Sequence, residues 1–406
     1  MSEGLRIAIF GESYLPYLSG VTVSTEALAR GLGALGHRVL LVAPAPRGGQ
    51  EPTGAGASGP NPEYAWLPSY QAPRPAPPGY RMPWPLPSAA LRRASDFTPD
   101  VVHAQSPFVS GLMARRLAQQ RRAPLVFTHH TRFADYRHYL GPLGEVGSAA
   151  ARASLRDFWA GCAAVIAPGG ELAAEIRAEL GGRPRPEVRV IPTGVDVAAL
   201  RRIEPDMAAR PPDWPGDAIV VVSVGRLAAE KSVDLLMEAF AVAAASEPRL
   251  RLLLVGGGPA EPALRARAAA PDLAGHVAFT GLLPRDRAIA AARGADLFAF
   301  ASRTETQGLV LAEALAAGLP VVARDGPGVR EAVRDGVDGI VTASDPGPDD
   351  ARRLGEALLG MATDAGRRAG MAAAAAEGAQ RFDIGRRLEQ VVGLYEDLLT
   401  PRTTAR

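Results

Sequence analysis

Lysine is all but missing from this chain: among 45 basic residues Lys231 is the only lysine, and the others are arginine. In a sequence this rich in Ala, Gly, Pro and Arg, a lone exception directs attention to the position that keeps it. Cysteine is as scarce. A single one, Cys162, excludes an internal disulfide and a Cys-rich metal site, and it fits a reducing, cytoplasmic setting. No apolar run approaches the roughly 20 residues that span a bilayer. The opening "MSEGLRIAIFGESYLP" runs straight into a β-type segment, with neither the basic n-region nor the h-region of a secretory signal. A protein that is soluble or rests on a membrane surface is expected. A large excess of one charge is also absent: the net is +2, divided as +5 over residues 1–200 and −3 over residues 201–406. That split suits an anionic partner for the first half and is too small to argue for nucleic acid.

What is present is a repeated rhythm. The 406 residues, 47% hydrophobic, are enough for two or three domains with substantial cores. The runs "RIAIF", "RVLLVAP", "VVHAQ", "PLVFTHH", "AAVIAP" and "VRVIP" alternate with helical patterns, the first helix from about Thr25 to Leu35. Such alternation favours a parallel sheet covered by helices on both faces. The rhythm restarts at about residue 217 with "IVVVSVGRL", "RLLLVGGG", "VAFTG", "DLFAFAS", "PVVAR" and "GIVTA". The expected domains are therefore 1–200 and 201–385, each an α/β Rossmann-like unit. The polar stretch "DVAALRRIEPDMAARPPDWPGD" between them reads as a linker. A final helix over 386–406 is expected to pack back across the hinge. Two such domains leave a cleft facing the carboxyl ends of their strands, where open sheets bind ligands. From Pro44 to Pro87 the chain is low in complexity and Pro-rich, which excludes regular helix and central strand. It is a surface loop or a substrate- or membrane-facing one carrying Tyr80 and Trp84.

The chemistry-bearing residues gather at predicted strand ends. Arg226 and Lys231 lie on the loop after "IVVVSVG", before a helix starting near Ser232. A guanidinium fork and a flexible ammonium suit a phosphate or diphosphate. In "SRTETQGLVLAEALAAG" a helix is expected from about Gly308 to Gly318, with the amides of Gln307, Gly308 and Leu309 open to an anion. Glu305 and Glu313 are eight residues apart, about 12 Å along a full helix, whereas hydrolytic carboxylate pairs need roughly 5–9.5 Å. They read as two contacts along one extended ligand, or as ordinary helix-terminal and solvent-facing glutamates. "GESYLPYLSGVTVSTEAL" carries Gly11 and Gly20 but no G-x-G-x-x-G, which argues against a dinucleotide fingerprint; amides around Gly20 are candidates to approach an anion. His129, His130 and Thr131 follow another strand, one histidine of the pair being open to a core or hinge role. With no cysteine partners and no His-Glu-x-x-His spacing, zinc is not indicated.

Together "YLPYLSGV", "THHT", "VIPTGVD", "GRLAAEKSVD", "LLLVGGGP" and "ETQGLVLAE" resemble, in order and spacing and over nearly the whole chain, the retaining glycosyltransferases of GT-B architecture, specifically glycosyltransferase family 4. The resemblance implies a catalytic set of His130, Arg226, Lys231 and Glu305. Arg226 and Lys231 would hold the donor diphosphate, Glu305 the transferred sugar, and His130 would contact that sugar from the other domain. Gln307, Gly308 and Leu309 would meet sugar and phosphate, Glu313 the ribose, Gly20 the phosphate and acceptor region, and residues 277–283 would border the base. Asp135 and Tyr136, in "HTRFADYRHY", are implied to be substrate-binding. The donor would be a UDP-sugar, with a GDP-sugar as the alternative, and no cofactor or metal is required.

Within the family, "HTRFADYRHY", "ETQGL", "HAQSPF" and "YRMPWPLP" look most like the bacterial diacylglycerol glucosyltransferases. Phe-Ala-Asp replaces an aromatic followed by Glu-Asp, and Ser19-Gly20 replaces Asn-Gly or Gly-Gly. The implied activity is α-retaining transfer of a hexose, glucose first, to diacylglycerol. Alternatives are phosphatidylinositol, a soluble sugar, a polysaccharide end, or a non-catalytic sugar-nucleotide binding protein. A lipid acceptor implies peripheral binding to the inner face of the plasma membrane, and Arg92, Arg93, Arg115, Arg116, Arg121 and Arg122 are the candidates to meet anionic headgroups.

Overall fold

The computed structural model describes residues 4–17, 19–46, 59–73, 79–130, 144–181, 186–345 and 347–400. Thr131, Asp135 and Tyr136 lie outside them. In chain order the strands are β1 (Arg6–Phe10), β2 (Arg38–Pro44), β3 (Glu63–Leu67), β4 (Ser69–Gln71), β5 (Arg81–Pro83), β6 (Val101–Ala104), β7 (Leu125–Thr128), β8 (Ala164–Ala167), β9 (Glu187–Val190), β10 (Ile219–Val224), β11 (Leu250–Val255), β12 (Val277–Gly281), β13 (Leu297–Phe300), β14 (Val321–Arg324) and β15 (Gly339–Thr342). The chain divides into two compact units, Met1–Gly194 with Ile384–Arg406, and Val195–Asp383.

In the first unit seven strands pair in the order β3-β2-β1-β6-β7-β8-β9, all parallel. Strand residues alternate between faces, and here both faces are covered: Ala8 and Phe10 enter one core, Ile7 and Ile9 the other. Sheets buried on both sides need uninterrupted apolar strands, which is why "RIAIF" and "VLLVA" read so plainly. The helix after β1 spans Gly20–Ala34 and starts earlier than its β-branched first turn suggests. A capping box explains this: Ser19 Oγ accepts from the Thr22 amide, and Thr22 Oγ1 accepts from the Ser19 amide, an arrangement whose loss costs about 1 kcal/mol. Within the Pro-rich segment the structure adds edge strand β3 and the β4–β5 hairpin.

The last helix, Ile384–Leu399, belongs to this first unit. Leu388, Val391, Leu394 and Tyr395 form its buried face. Tyr395 is fully buried, its hydroxyl 2.6 Å from His103 Nδ1 on β6, and His103 Nε2 lies 2.7 Å from Thr128 Oγ1 on β7.

The second unit repeats the plan with six parallel strands, β12-β11-β10-β13-β14-β15. Val220 and Val222 face one core, Ile219 and Val221 the other. The stretch that reads as a linker is part of this unit: helix Val197–Arg202 sends Val197 and Leu200, each 1% exposed, into its core. Among the described residues no helix is long and apolar enough to cross a membrane.

Candidate active site

In both sheets the chain starts at a central strand, runs outward to one edge, then returns to build the other half. The strand order therefore reverses beside β1 in the first unit and beside β10 in the second, and the loops leaving the two strands of each reversal diverge to leave a crevice. In the second unit those strands are β10 and β13, and their loops carry most of the polar residues singled out in the sequence.

After β10 the chain passes Gly225, Arg226 and a short 3-10 turn, Ala229–Lys231. Gly256, at the end of neighbouring β11 with φ +138°, allows this loop in: a Cβ there would stand 1.9 Å from the Gly225 carbonyl oxygen. Arg226 projects into solvent with Nη1 3.7 Å from Glu230 Oε1. Ser232 then takes left-handed angles, φ 48° and ψ 41°, to open helix Val233–Ala244; such geometry costs a non-glycine residue of the order of 1–3 kcal/mol.

After β13 the segment Ser302–Gly308 lies against this loop. The Glu230 carbonyl oxygen accepts from the Arg303 amide and the Ser302 hydroxyl, both at 3.4 Å, and Lys231 Nζ is paired directly with Glu305 Oε1. Two residues 74 positions apart are thus in contact, and both are partly open to solvent. Gln307 is buried. Gly308 adopts φ +68°, ψ 54° as the cap of helix Leu309–Ala316, and no side chain caps that helix. A residue with a Cβ would be strained at Gly308. The first-turn amides point out of the helix end, where the backbone dipoles favour negative charge.

Glu313 lies on this helix and has a different partner, Arg285, whose Nη2 and Nε stand 2.6 and 3.2 Å from Glu313 Oε1. The two glutamates are held separately by two cations, Glu305 by Lys231 and Glu313 by Arg285. Residues 277–283 run beside Gly256, whose amide donates to the Gly281 carbonyl oxygen at 3.1 Å. Leu282 in this segment is 83% exposed.

In the first unit the reversal lies between β1 and β6. Gly20 is the first residue of its helix and faces open space. The two histidines after β7 divide their tasks. His129 is core, edge-on to Phe127 and Trp159 at 5.6 and 5.4 Å between ring centres. His130 points Nε2 at Gln105 Oε1, 2.7 Å away. Burial holds all three of this region's imidazoles neutral, His103 and His129 lowered to about 3 and His130 to about 4.

Sequence reasoning did not mark Arg285, Gln105 or Glu12. Glu12 lies just beyond β1 and is 6% exposed; its Oε2 accepts from both the amide and the hydroxyl of Ser110 at 2.8 Å. The quoted "GESYLP" and "HAQSPF" contain Glu12 and Gln105, but nothing in either stretch says that adjoining strands carry them. Among the described residues no group of three His, Cys, Asp or Glu side chains is placed to hold a metal ion.

The fold matches solved structures along its length. Against the crystal structure of Anabaena HepE in complex with UDP-glucose the TM-score is 0.71, at 19% identity, covering 97% of this chain and 100% of that one. This is the GT-B fold, two Rossmann-like parallel-sheet domains, and the class is that of the glycosyltransferases built on it. Residues 18–199 match Glycosyltransferase Family 4, and residues 208–377 match Glycosyl transferases group 1. The chain is 30% identical over 352 residues to the alpha-monoglucosyldiacylglycerol synthase of Acholeplasma laidlawii, 83% of this chain and 84% of that one. It is 34% identical over 321 residues to the D-inositol 3-phosphate glycosyltransferase of Acidothermus cellulolyticus, 75% and 69% of the two chains. The chain belongs to glycosyltransferase family 4 and is a hexosyltransferase.

Proposed function

We infer that the protein moves a hexose, glucose in the first instance, from a UDP-sugar to the hydroxyl of a lipid, diacylglycerol, with retention of the α configuration. The observation that carries the donor half is the meeting of Arg226, Lys231, Glu305 and an uncapped helix N-terminus at one sheet reversal. A nucleoside diphosphate brings two or more negative charges to this place, and it takes over Lys231 from Glu305. The carboxylate is then released towards the hydroxyls of the sugar.

As the bond from anomeric carbon to phosphate oxygen breaks, charge grows on the leaving diphosphate. Lys231, Arg226 and the amides of Gly308 and Leu309 stabilise it without reorganising. Gln307 orients the same group, and Glu313, steadied by Arg285, takes the ribose. His130, kept neutral by burial, offers the sugar a hydrogen bond without adding charge. Among the described residues no carboxylate stands as a nucleophile, so in this reading the acceptor hydroxyl attacks from the face the diphosphate leaves, and the departing phosphate oxygen takes its proton. Asp135 and Tyr136 complete this reading on the acceptor side, with Gly20.

Support for a glucosyl donor and a lipid acceptor comes from the A. laidlawii relative, similar over most of both chains. Membrane contact in this reading is peripheral. Arg92, Arg93, Arg116, Arg121 and Arg122 are exposed, each worth about 1 kcal/mol against an anionic surface. Arg93 and Arg115 already pair with Glu63 and Asp157, which reduces the charge left for lipid, while Arg121 donates to the neutral Ser95 hydroxyl and keeps its charge. The 34% identity to an inositol-phosphate enzyme supports a second reading with a soluble polyol acceptor. Mass spectrometry of products from a panel of UDP- and GDP-sugars separates them, run with diacylglycerol in anionic liposomes or with inositol phosphate and with Lys231→Ala as control. A hexosyl-diacylglycerol that vanishes in the variant supports the first reading. A product on inositol phosphate alone supports the second.

A further inference from the structure

Among the buried polar atoms of the N-terminal unit that meet no partner among the described residues, two sit at its sheet reversal, Glu12 Oε1 and Gln105 Nε2. Glu12 leaves the carboxyl end of β1 and Gln105 the carboxyl end of the adjoining β6, and the Gln105 amide donates to the Phe10 carbonyl oxygen at 2.9 Å. Glu12 Oε2 is satisfied by Ser110, at the first turn of helix Val109–Arg121, whose own cap residue Phe108 supplies no side-chain bond. Among the described residues Glu12 Oε1 accepts no hydrogen bond. Gln105 spends its Oε1 on His130, while its Nε2 meets no acceptor among them. The residues are 6% and 3% exposed. An orphaned buried acceptor and an orphaned buried donor each cost about 1–3 kcal/mol, and a native fold keeps such groups where something else meets them.

The surroundings suit a small polar head. Tyr17 and Tyr80 pack edge to face with ring centres 5.2 Å apart, both half-exposed. Burial, with Glu12 and Tyr17 adding to it, pushes the Tyr80 phenol upward. Burial likewise raises Glu12, against the opposing bonds from Ser110, Val109 and Ser106. One acceptor and one donor beside an aromatic wall describe the complement of a single hydroxyl, which donates one hydrogen bond and accepts another.

We propose that this crevice binds the hydroxyl-bearing end of the sugar acceptor, which enters past Tyr80, donates to Glu12 Oε1 and accepts from Gln105 Nε2. The inference rests on the transferase reading above and adds to it the residues that recognise the acceptor. A diacylglycerol headgroup, with one free hydroxyl, satisfies both atoms at once. Because Gln105 also holds His130, the same amide ties acceptor recognition to the histidine that faces the sugar.

Glu12→Gln keeps the shape of the side chain, and when its oxygen faces the Ser110 donors the crevice receives an NH2 where it had an acceptor. Transfer to dioctanoylglycerol in mixed micelles is measured at saturating donor, together with the dissociation constant of UDP by calorimetry and the melting temperature. The expected result is an acceptor KM raised about tenfold or more, with UDP affinity and melting temperature unchanged. Ser110→Ala, which loosens Glu12 without removing it, raises that KM by a smaller factor. An unchanged acceptor KM in Glu12→Gln overturns the inference, as does a loss of UDP affinity in step with it. If the wild-type protein glycosylates inositol phosphate and not dioctanoylglycerol, the lipid reading fails, and the KM comparison on inositol phosphate decides the role of Glu12 by the same two outcomes.

Discussion

Acid should weaken the N-terminal domain more than its charge suggests, and the cause is three imidazoles that burial holds neutral. His103, between Tyr395 and Thr128, and His129, between Phe127 and Trp159, are buried and held neutral, with pKa values near 3. In the unfolded chain each titrates near 6.5. Below that value the unfolded state binds protons that the folded state refuses, so stability falls as pH falls. The loss continues until the folded groups themselves protonate near pH 3. Each histidine costs about 2 kcal/mol on going from about pH 7.5 to about pH 5, and His130, lowered to about 4, adds a similar amount, so the three together cost about 6 kcal/mol. This is a large share of the roughly 5–15 kcal/mol that stabilises a domain. Glu12 acts in the opposite sense, since its raised pKa lets acid neutralise it in the folded state first. One carboxyl against three imidazoles leaves a net loss. Urea unfolding followed by tryptophan fluorescence reads it directly, because Trp159 lies against His129. His103→Gln, which keeps hydrogen-bonding capacity without the titration, should reduce the loss by about 2 kcal/mol. Equal unfolding free energies at the two pH values, or an unaltered loss in His103→Gln, would refute the reasoning.

Lys231→Ala should lower kcat about 10²–10³-fold, the cost of removing one preorganised group from a developing anion. Lys231→Arg should recover only part of that, because a longer planar fork replaces a point charge that fits against Glu305; full recovery by arginine would remove the ammonium from the mechanism. Arg285→Ala should raise the KM for donor about tenfold, by freeing the Glu313 carboxylate it holds at 2.6 Å, with a smaller change in kcat. A kcat loss without a KM change in that variant would place Glu313 elsewhere. Arg121→Ala combined with Arg122→Ala should weaken binding to anionic vesicles at low salt and leave UDP affinity intact. Vesicle binding that ignores salt in both proteins would end the electrostatic account.

How much of this was written plainly in the sequence depends on how local the cause is. The sheets were legible because both faces of a parallel sheet are buried, which turns strands such as "IVVVSV" into unbroken apolar runs. Strand β3 was not, because "EYAWL" is an edge strand set among prolines and glycines whose composition outweighs five residues of pattern. The polar residues after β10 and β13 were legible as anion-binding types at strand ends. Their direct contact was not, since Lys231 and Glu305 are brought together by the strand order and not by any spacing along the chain. Arg285 was invisible for the same reason, being 28 residues from the glutamate it holds. Glu12 looked like an ordinary polar residue after a strand, and only burial sets it apart. The segment 196–217 misled in the other direction: its prolines and charges suggested a linker, while Val197 and Leu200 anchor it in the second domain's core.

The last helix gives the order of synthesis a physical meaning. His103 is surrounded only when Tyr395, 292 residues further along the chain, arrives. The first domain to emerge is thus the last to be finished, because Val195–Asp383 has all of its strands in hand before Ile384 returns to cover the face that holds Ile7 and Ile9. A nascent chain halted just short of that helix would carry a complete second domain and a first one with an apolar strip still open to water. Chaperones that grip exposed apolar surface would therefore meet this protein through its N-terminal half, and they would keep that hold until the helix from Ile384 has emerged.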